Sequence, residues 1–210
     1  MRVIEPSVEL IDCPPWEEMF KNIERCGRVC YKSEDRITPN SAEKFIKSVI
    51  KSGHESVLEH EKITVKVTCD RGVSHEIVRH RLASYSQEST RYCCYGSDKF
   101  NSEITVIKPC FFEEGTIPYI EWVAIMEDIE ETYLRLLNYG AKPEEARSVL
   151  PNSLKTEIVM TMNIREWRHF FKMRLSSRAH PQMREVAEMI YKEFTDRIPI
   201  LFTDIHTQET

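Results

Sequence analysis

Residues 62–69 read KITVKVTC, and the alternation is complete: Ile63, Val65, Val67 and Cys69 fall on one side, Lys62, Thr64, Lys66 and Thr68 on the other. Successive side chains of a strand point to opposite faces, so this segment is satisfied only in a sheet with one face buried. LKTEIVMTMN, at 154–163, reads as a second strand. Elsewhere the apolar spacing is helical. Trp16, Met19, Phe20 and Ile23 predict an amphipathic helix over 15–26, after Pro14 and Pro15. Asn40, with Glu43 three residues on, predicts the N-cap of a helix that turns Phe45, Ile46, Val49 and Ile50 inward and stops at Gly53. Ser74 is the expected cap of a short helix carrying Ile77 and Val78.

Residues 93–118, with Gly96, Pro109, Gly115 and Pro118, read as loop. Trp122, Ile125, Met126, Ile129, Tyr133, Leu136 and Leu137 then form the inward stripe of a long helix ending at Gly140. Pro143 opens the short helix PEEARSVL, which Pro151 stops. Asn163 suits the cap of a helix holding Trp167, Phe170 and Phe171, and a last helix turns Met183, Val186, Ala187, Ile190 and Phe194 inward. This order lacks regular β-α-β alternation, which predicts the α+β class. A length of 210 residues suits one domain over 1–210.

One segment does not fit this scheme. RHRLASYSQESTRY, at 79–92, has only Leu82 and Ala83 as aliphatic residues and is too polar to bury itself as an ordinary helix or strand. The net charge of −5 argues against a protein that lives on nucleic-acid backbone, yet leaves room for a local cationic pocket. The six glycines never form G-x-G-x-x-G or a P-loop, so any phosphate must be held by side chains, a task suited to the forked arginine guanidinium. His54, His60, His75 and His80 make no H-E-x-x-H, and the seven cysteines match no zinc spacing, so no metal centre is expected. With no apolar run near 18 residues and acids in MRVIEPSVELIDCPP, the expected setting is the cytoplasm, without a membrane. Were 74–81 helical, Arg79 and Arg81 would diverge by about 200° and serve different partners. The alternatives are a solvated turn and an RNA- or nucleotide-binding module in which Tyr85 and Tyr92 stack on bases.

The order of residues favours a third reading. Arg79-His80-Arg81, seven residues and then Ser89, continued by Arg91-Tyr92, resembles the signature of the flavin-dependent thymidylate synthases. GHESVLEH (53–60), EEARSVLPNSL (144–154) and MNIREWRHFFKMRL (162–175) are similar to three further blocks of that family. The resemblance implies a mainly antiparallel sheet packed by helices, in a homotetramer with flavin sites between subunits. It also implies that dUMP becomes dTMP with 5,10-methylenetetrahydrofolate as carbon donor and NADPH, through FAD, as reductant. Flavin contacts would fall to Ser56, Glu59, Arg79, His80, Arg81, Gln87, Asn163, Arg165 and His169. Glu76, Arg79, Gln87, Glu88, Ser89, Arg91, Arg147 and Arg174 would bind dUMP, and Arg174, Ser89 and His54 would serve catalysis. Cys30 departs from a frequent serine, Glu76 from glutamine, Ser86-Gln87 from Asn-Glu, and His169 from asparagine. Ser89 has no neighbouring base in sequence, which favours polarising and positioning over covalent attack. Without the family pattern, Asn163 is only a helix cap, Arg147 pairs with Glu144 on a helix surface, and Met19, Met126, Met160 and Met183 fill the core.

Overall fold

The computed structural model describes residues 1–205. The alternating segments become the two longest strands, β3 (Lys62–Asp70) and β6 (Lys155–Asn163). Ile63, Val65, Val67 and Cys69 are buried on one, Thr156, Ile158, Met160 and Met162 on the other, as period two demands. Their sense is antiparallel. The Ile164 amide donates to the Glu61 carbonyl, Thr64 meets Thr161 at 2.9 Å, and the Arg71 amide donates to the Leu154 carbonyl, so one numbering rises as the other falls. With β2 (Ser7–Asp12) and β4 (Ala83–Gln87) they form a four-stranded sheet in the order β2-β3-β6-β4. β1 (Arg2–Ile4) and β5 (Thr105–Ile107) make a separate parallel pair, Arg2 opposite Thr105.

The expected α+β class is what forms, and the helices follow the apolar spacing: α1 (Trp16–Val29), α2 (Ala42–Ser52), α3 (Arg71–Ile77), α4 (Ile117–Asn138), α5 (Pro143–Ala146), α6 (Ile164–Arg174) and α7 (Pro181–Arg197). The chain divides into two compact units, one of residues 1–7, 67–79 and 86–158, the other of 8–66, 80–85 and 159–205. In the first, Trp122, Met126 and Tyr133 of α4 pack on Tyr95, Ile104, Val106 and Leu154. In the second, Trp167 and Phe171 of α6 meet Phe194 of α7, with Trp167 and Phe194 centroids 4.9 Å apart, and Phe170 packs edge-on against Trp167. Those aromatic residues and all four methionines read as core are buried. Among the described residues no helix is long and apolar enough to cross a membrane.

Several local expectations are corrected. The residue before α2 is Ser41, not Asn40, and its hydroxyl accepts from the Thr38 amide and donates to Glu24. α3 is capped by Asp70, whose Oδ1 accepts from the Val73 amide at 2.7 Å; Ser74 lies buried inside the helix. α3 ends at Ile77, so Arg79 and Arg81 do not share a helix. Part of the polar segment is an ordinary strand after all. Ala83–Gln87 can be β4 because an edge strand at the end of the sheet need bury only alternate residues. Ile125 and Trp16, read as inward, are 49% and 41% exposed. The strands β1, β2 and β5 escaped notice because each is short or lacks alternation.

Asp70→Ala removes the only side chain that caps α3. It should lower unfolding free energy by about 1 kcal/mol, read as a shift of the urea midpoint at unchanged slope.

Candidate active site

In the second unit, α1, α2 and the turn after them enclose a cleft of about 500 Å³ lined by Cys30, Tyr31, His54, Ser56, Val57 and Arg165. Gly27 sets its floor: a Cβ there would stand 2.4 Å from Cζ of Phe45, so only glycine lets the two helices approach this closely. Gly53, at φ 70°, ends α2 in the left-handed conformation and turns the chain into the six-residue 3-10 segment Glu55–His60. His54, Ser56, Glu59 and Arg165 are thereby exposed along one rim, and Arg165 donates from Nη1 to Oε1 of Glu59 at 2.6 Å. Asn163 is the N-cap of α6, with Oδ1 accepting from the Glu166 amide at 2.8 Å. Beneath the rim, Arg168, 1% exposed, donates from Nε to Glu55 at 3.1 Å and grips both carboxylate oxygens of Asp204 at 2.8 and 2.6 Å. Burial pushes the Asp204 carboxyl up, but the hydrogen bonds and charge of Arg168 outweigh it and hold the group below its ordinary range. A larger cleft, about 640 Å³, lies along Glu18, Asn22, Arg25 and Ile37–Pro39 and contains none of the expected residues.

The same unit holds His80, Glu166, His169 and Arg174 together. His80 is 6% exposed, its ring 4.9 Å from that of Phe170 and 5.8 Å from that of His169. Arg174 donates from Nε to Nε2 of His80 at 3.0 Å, and Nδ1 stands 3.4 Å from Oε1 of Glu166. The Tyr85 hydroxyl donates to the His80 carbonyl at 2.6 Å and fixes the turn that carries the ring. Ligand atoms of His80, Glu166 and His169 lie within 4.8 Å of one another, and Nε2 of His80 is engaged by the guanidinium of Arg174. Arg81 is exposed in this unit.

The first unit gathers the remaining expected residues. Glu88 accepts from Tyr95 and from Lys155, each at 2.9 Å, so both carboxylate oxygens are engaged. Gln87 donates to Ser74 at 2.9 Å and to Thr156 at 3.2 Å. Ser89 accepts from the Arg91 amide at 3.3 Å. Arg147 does not pair with Glu144: it donates to Thr90 at 3.2 Å, and Glu144 instead stands 3.5 Å from Arg91. Two guanidiniums and the hydroxyls of Ser89 and Thr90 are thus brought to one locality by residues 57 positions apart. Arg79, exposed, and Glu76 also belong to this unit.

The fold is that of a class that acts on pyrimidine nucleotides. A solved structure of the UMP/dUMP methylase PolB from Streptomyces cacaoi, bound with 5-Br dUMP, matches with a TM-score of 0.78 at 25% identity, covering 99% of this chain and 97% of that one. The family model described as Thymidylate synthase complementing protein matches residues 9–200. Flavin-dependent thymidylate synthases from Pyrococcus furiosus and Geobacter sulfurreducens are 39% and 32% identical, over 81% and 85% of this chain and 70% and 78% of theirs. The chain belongs to the flavin-dependent thymidylate synthase family.

Family membership brings a flavin cofactor, FAD. The donor set of the cleft fits it. Arg165 and the Ser56 hydroxyl offer donors to a pyrophosphate, while Tyr31, Val49 and Val57 offer apolar surface to a ring. Sequence reading missed Glu166, Thr90 and the Arg168 network, and considered Tyr85 only as a base-stacking residue, whereas its hydroxyl donates to the His80 carbonyl. Only Glu166 carried a signal: it stands three residues after its cap, where an acid is expected to turn back to the cap, and here it faces His80 instead.

Burial, then the charge of Arg174 and of His169, lowers the His80 pKa from 6.5 to about 4. The unfolded chain therefore takes a proton near 6.5 that the folded chain refuses until about 4. The resulting stabilisation, about 3 kcal/mol, is complete above the higher value and lost as pH falls through the window. Glu166, raised by burial, acts in the opposite sense. Urea titrations should accordingly show unfolding free energy falling more steeply with acidification in the wild type than in His80→Gln.

Proposed function

We propose that this protein converts dUMP to dTMP, using 5,10-methylenetetrahydrofolate as carbon donor and NADPH as reductant, with tetrahydrofolate as the second product. The observation that carries this reading is the family match over residues 9–200, which includes every polar residue assigned above and parts of both compact units. It supports treating residues 1–210 as one synthase domain. FAD, when bound, supplies the electrons taken from NADPH.

The chain's own residues hold and polarise. Ser89, Arg91 and Arg147, beside Thr90, bind the dUMP phosphate; two guanidiniums near two hydroxyls provide the forked and single donors that a phosphate accepts. Arg174 faces the uracil and stabilises negative charge on the ring as C5 becomes nucleophilic. Ser56, Asn163 and Arg165 hold the flavin, and Glu59 keeps Arg165 oriented. Arg79 and Arg81, on opposite sides of His80, divide between substrate and flavin. Glu76 and Gln87 border the nucleotide, and His54 lies towards the folate. A phosphorylated substrate that does not cross membranes unaided supports a cytoplasmic setting.

A homotetramer with flavin sites between subunits is the assembly we expect. Support comes from α4, where Ile117, Ile120 and Ile125 are 75%, 54% and 49% exposed, apolar side chains that a second copy could cover. The RNA-module alternative is weakened by Tyr85: its hydroxyl is committed to the His80 carbonyl, so of the two stacking candidates only Tyr92 stands mostly in solvent.

Purified protein should be yellow, and its solution mass with FAD should be that of four chains; a fully active monomer would remove the inter-subunit site. Arg174→Ala should lower turnover about 100- to 1000-fold with flavin absorbance retained. Ser89→Ala should keep measurable turnover, whereas complete loss with intact dUMP and FAD binding would mean covalent attack by the hydroxyl.

A further inference from the structure

Glu166, Phe170 and Arg174 recur at intervals of four along α6, so they share one face of the helix. The His80 ring packs on that face and touches all three: Oε1 of Glu166 at 3.4 Å, the Phe170 ring at 4.9 Å between centroids, and Nε of Arg174 at 3.0 Å. The chemistry of these contacts settles the proton on the imidazole. An arginine Nε is always a donor, so Nε2 of His80 must present its lone pair. The neutral ring then carries its proton on Nδ1, the nitrogen that faces the buried carboxylate of Glu166. A proton on Nε2 would set donor against donor. Tyr85 holds the backbone of the same residue, and His169, the other titratable group nearby, adds positive charge that further disfavours an imidazolium.

We propose that His80 and Glu166 are positioning residues for Arg174: Glu166 holds His80 as the Nδ1–H tautomer, and the Nε2 lone pair fixes Nε of Arg174, so that the guanidinium meets the pyrimidine through its Nη edge. This rests on the reading of Arg174 as the uracil-facing cation. The consequence is a division of labour within one guanidinium. Its Nε is spent on orientation, and charge stabilisation falls to the two terminal nitrogens. An arginine side chain otherwise carries several freely rotating bonds, and a polarising cation misplaced by about 1 Å loses much of its effect. The hydrogen-bond partner of Nε supplies the missing constraint.

The test begins with the full-length protein labelled with 15N-histidine. At neutral pH its nitrogen spectrum should show His80 neutral and protonated on Nδ1; an Nε2–H tautomer or an imidazolium overturns the proposal, whether or not the protein makes dTMP. In Glu166→Gln the amide oxygen can still accept from Nδ1–H while Arg174 donates to Nε2, so the His80 proton should stay on Nδ1, and its transfer to Nε2 overturns the proposal. His80→Phe keeps the ring packed on Phe170 but removes the acceptor; kcat should fall about 10- to 100-fold, the loss of one charge-assisted hydrogen bond. The KM for dUMP should rise as well. His80→Gln returns an acceptor and should recover part of that loss, which a purely structural role would not produce. Unchanged kcat in a folded His80→Phe protein overturns the proposal. Should that variant not fold, the tautomer in the wild type and its retention in Glu166→Gln decide the matter. A wild type with the Nδ1–H tautomer and no dTMP formation would sink the synthase reading while leaving the side-chain arrangement intact.

Discussion

The antiparallel pairing of β3 with β6 is the constraint from which the other features of the protein follow. Both strands bury every second residue, so a slip of one position would turn Ile63, Val65 and Val67 outward and bring lysines and threonines in. That register fixes what stands at the strand ends. β3 passes directly into α3 through the buried Asp70, and β6 passes directly into α6 through Asn163, each capping residue accepting from an amide three positions on. The helix that carries Glu166, Arg168 and Arg174 therefore begins at a point the sheet dictates. Its charged residues inherit their placement from an apolar pattern many residues away.

The sequence made the framework legible because its signals are local. Period two revealed β3 and β6, and apolar spacing revealed α1, α2, α4, α6 and α7. What stayed hidden needed partners distant in the chain. β4 is too polar to resemble a strand, yet it is stable at a sheet edge where alternate residues face solvent. Arg147 was legible as a surface helix residue with Glu144 within reach, but the fold offers it Thr90 and gives Glu144 to Arg91. The chemistry of the site was visible as an ordered set of blocks rather than through any one residue. Glu166 lies within the 162–175 block, yet its place beside His80 depends on a partner 86 residues earlier in the chain.

Charge is handled differently in different parts of the molecule. Arg91, Arg165 and Arg135 form ion pairs with partners that are about half exposed, and such pairs contribute little to stability. Arg168 is the opposite case: fully buried, it shares its nitrogens among Glu55, Asp204 and the Leu201 carbonyl. Losing one partner of such a group leaves a charge without compensation, at a cost of about 3–5 kcal/mol. Exposed pairs thus leave stability almost untouched, whereas the Arg168 network matters for the architecture.

That network reaches further than its own packing. Glu55 sits between His54 and Ser56 on the cleft rim, and the guanidinium that holds it also holds Asp204, close to the carboxyl end of the described chain. A change at Asp204 is consequently felt at the cleft, because the single side chain of Arg168 links it to the turn that carries His54 and Ser56.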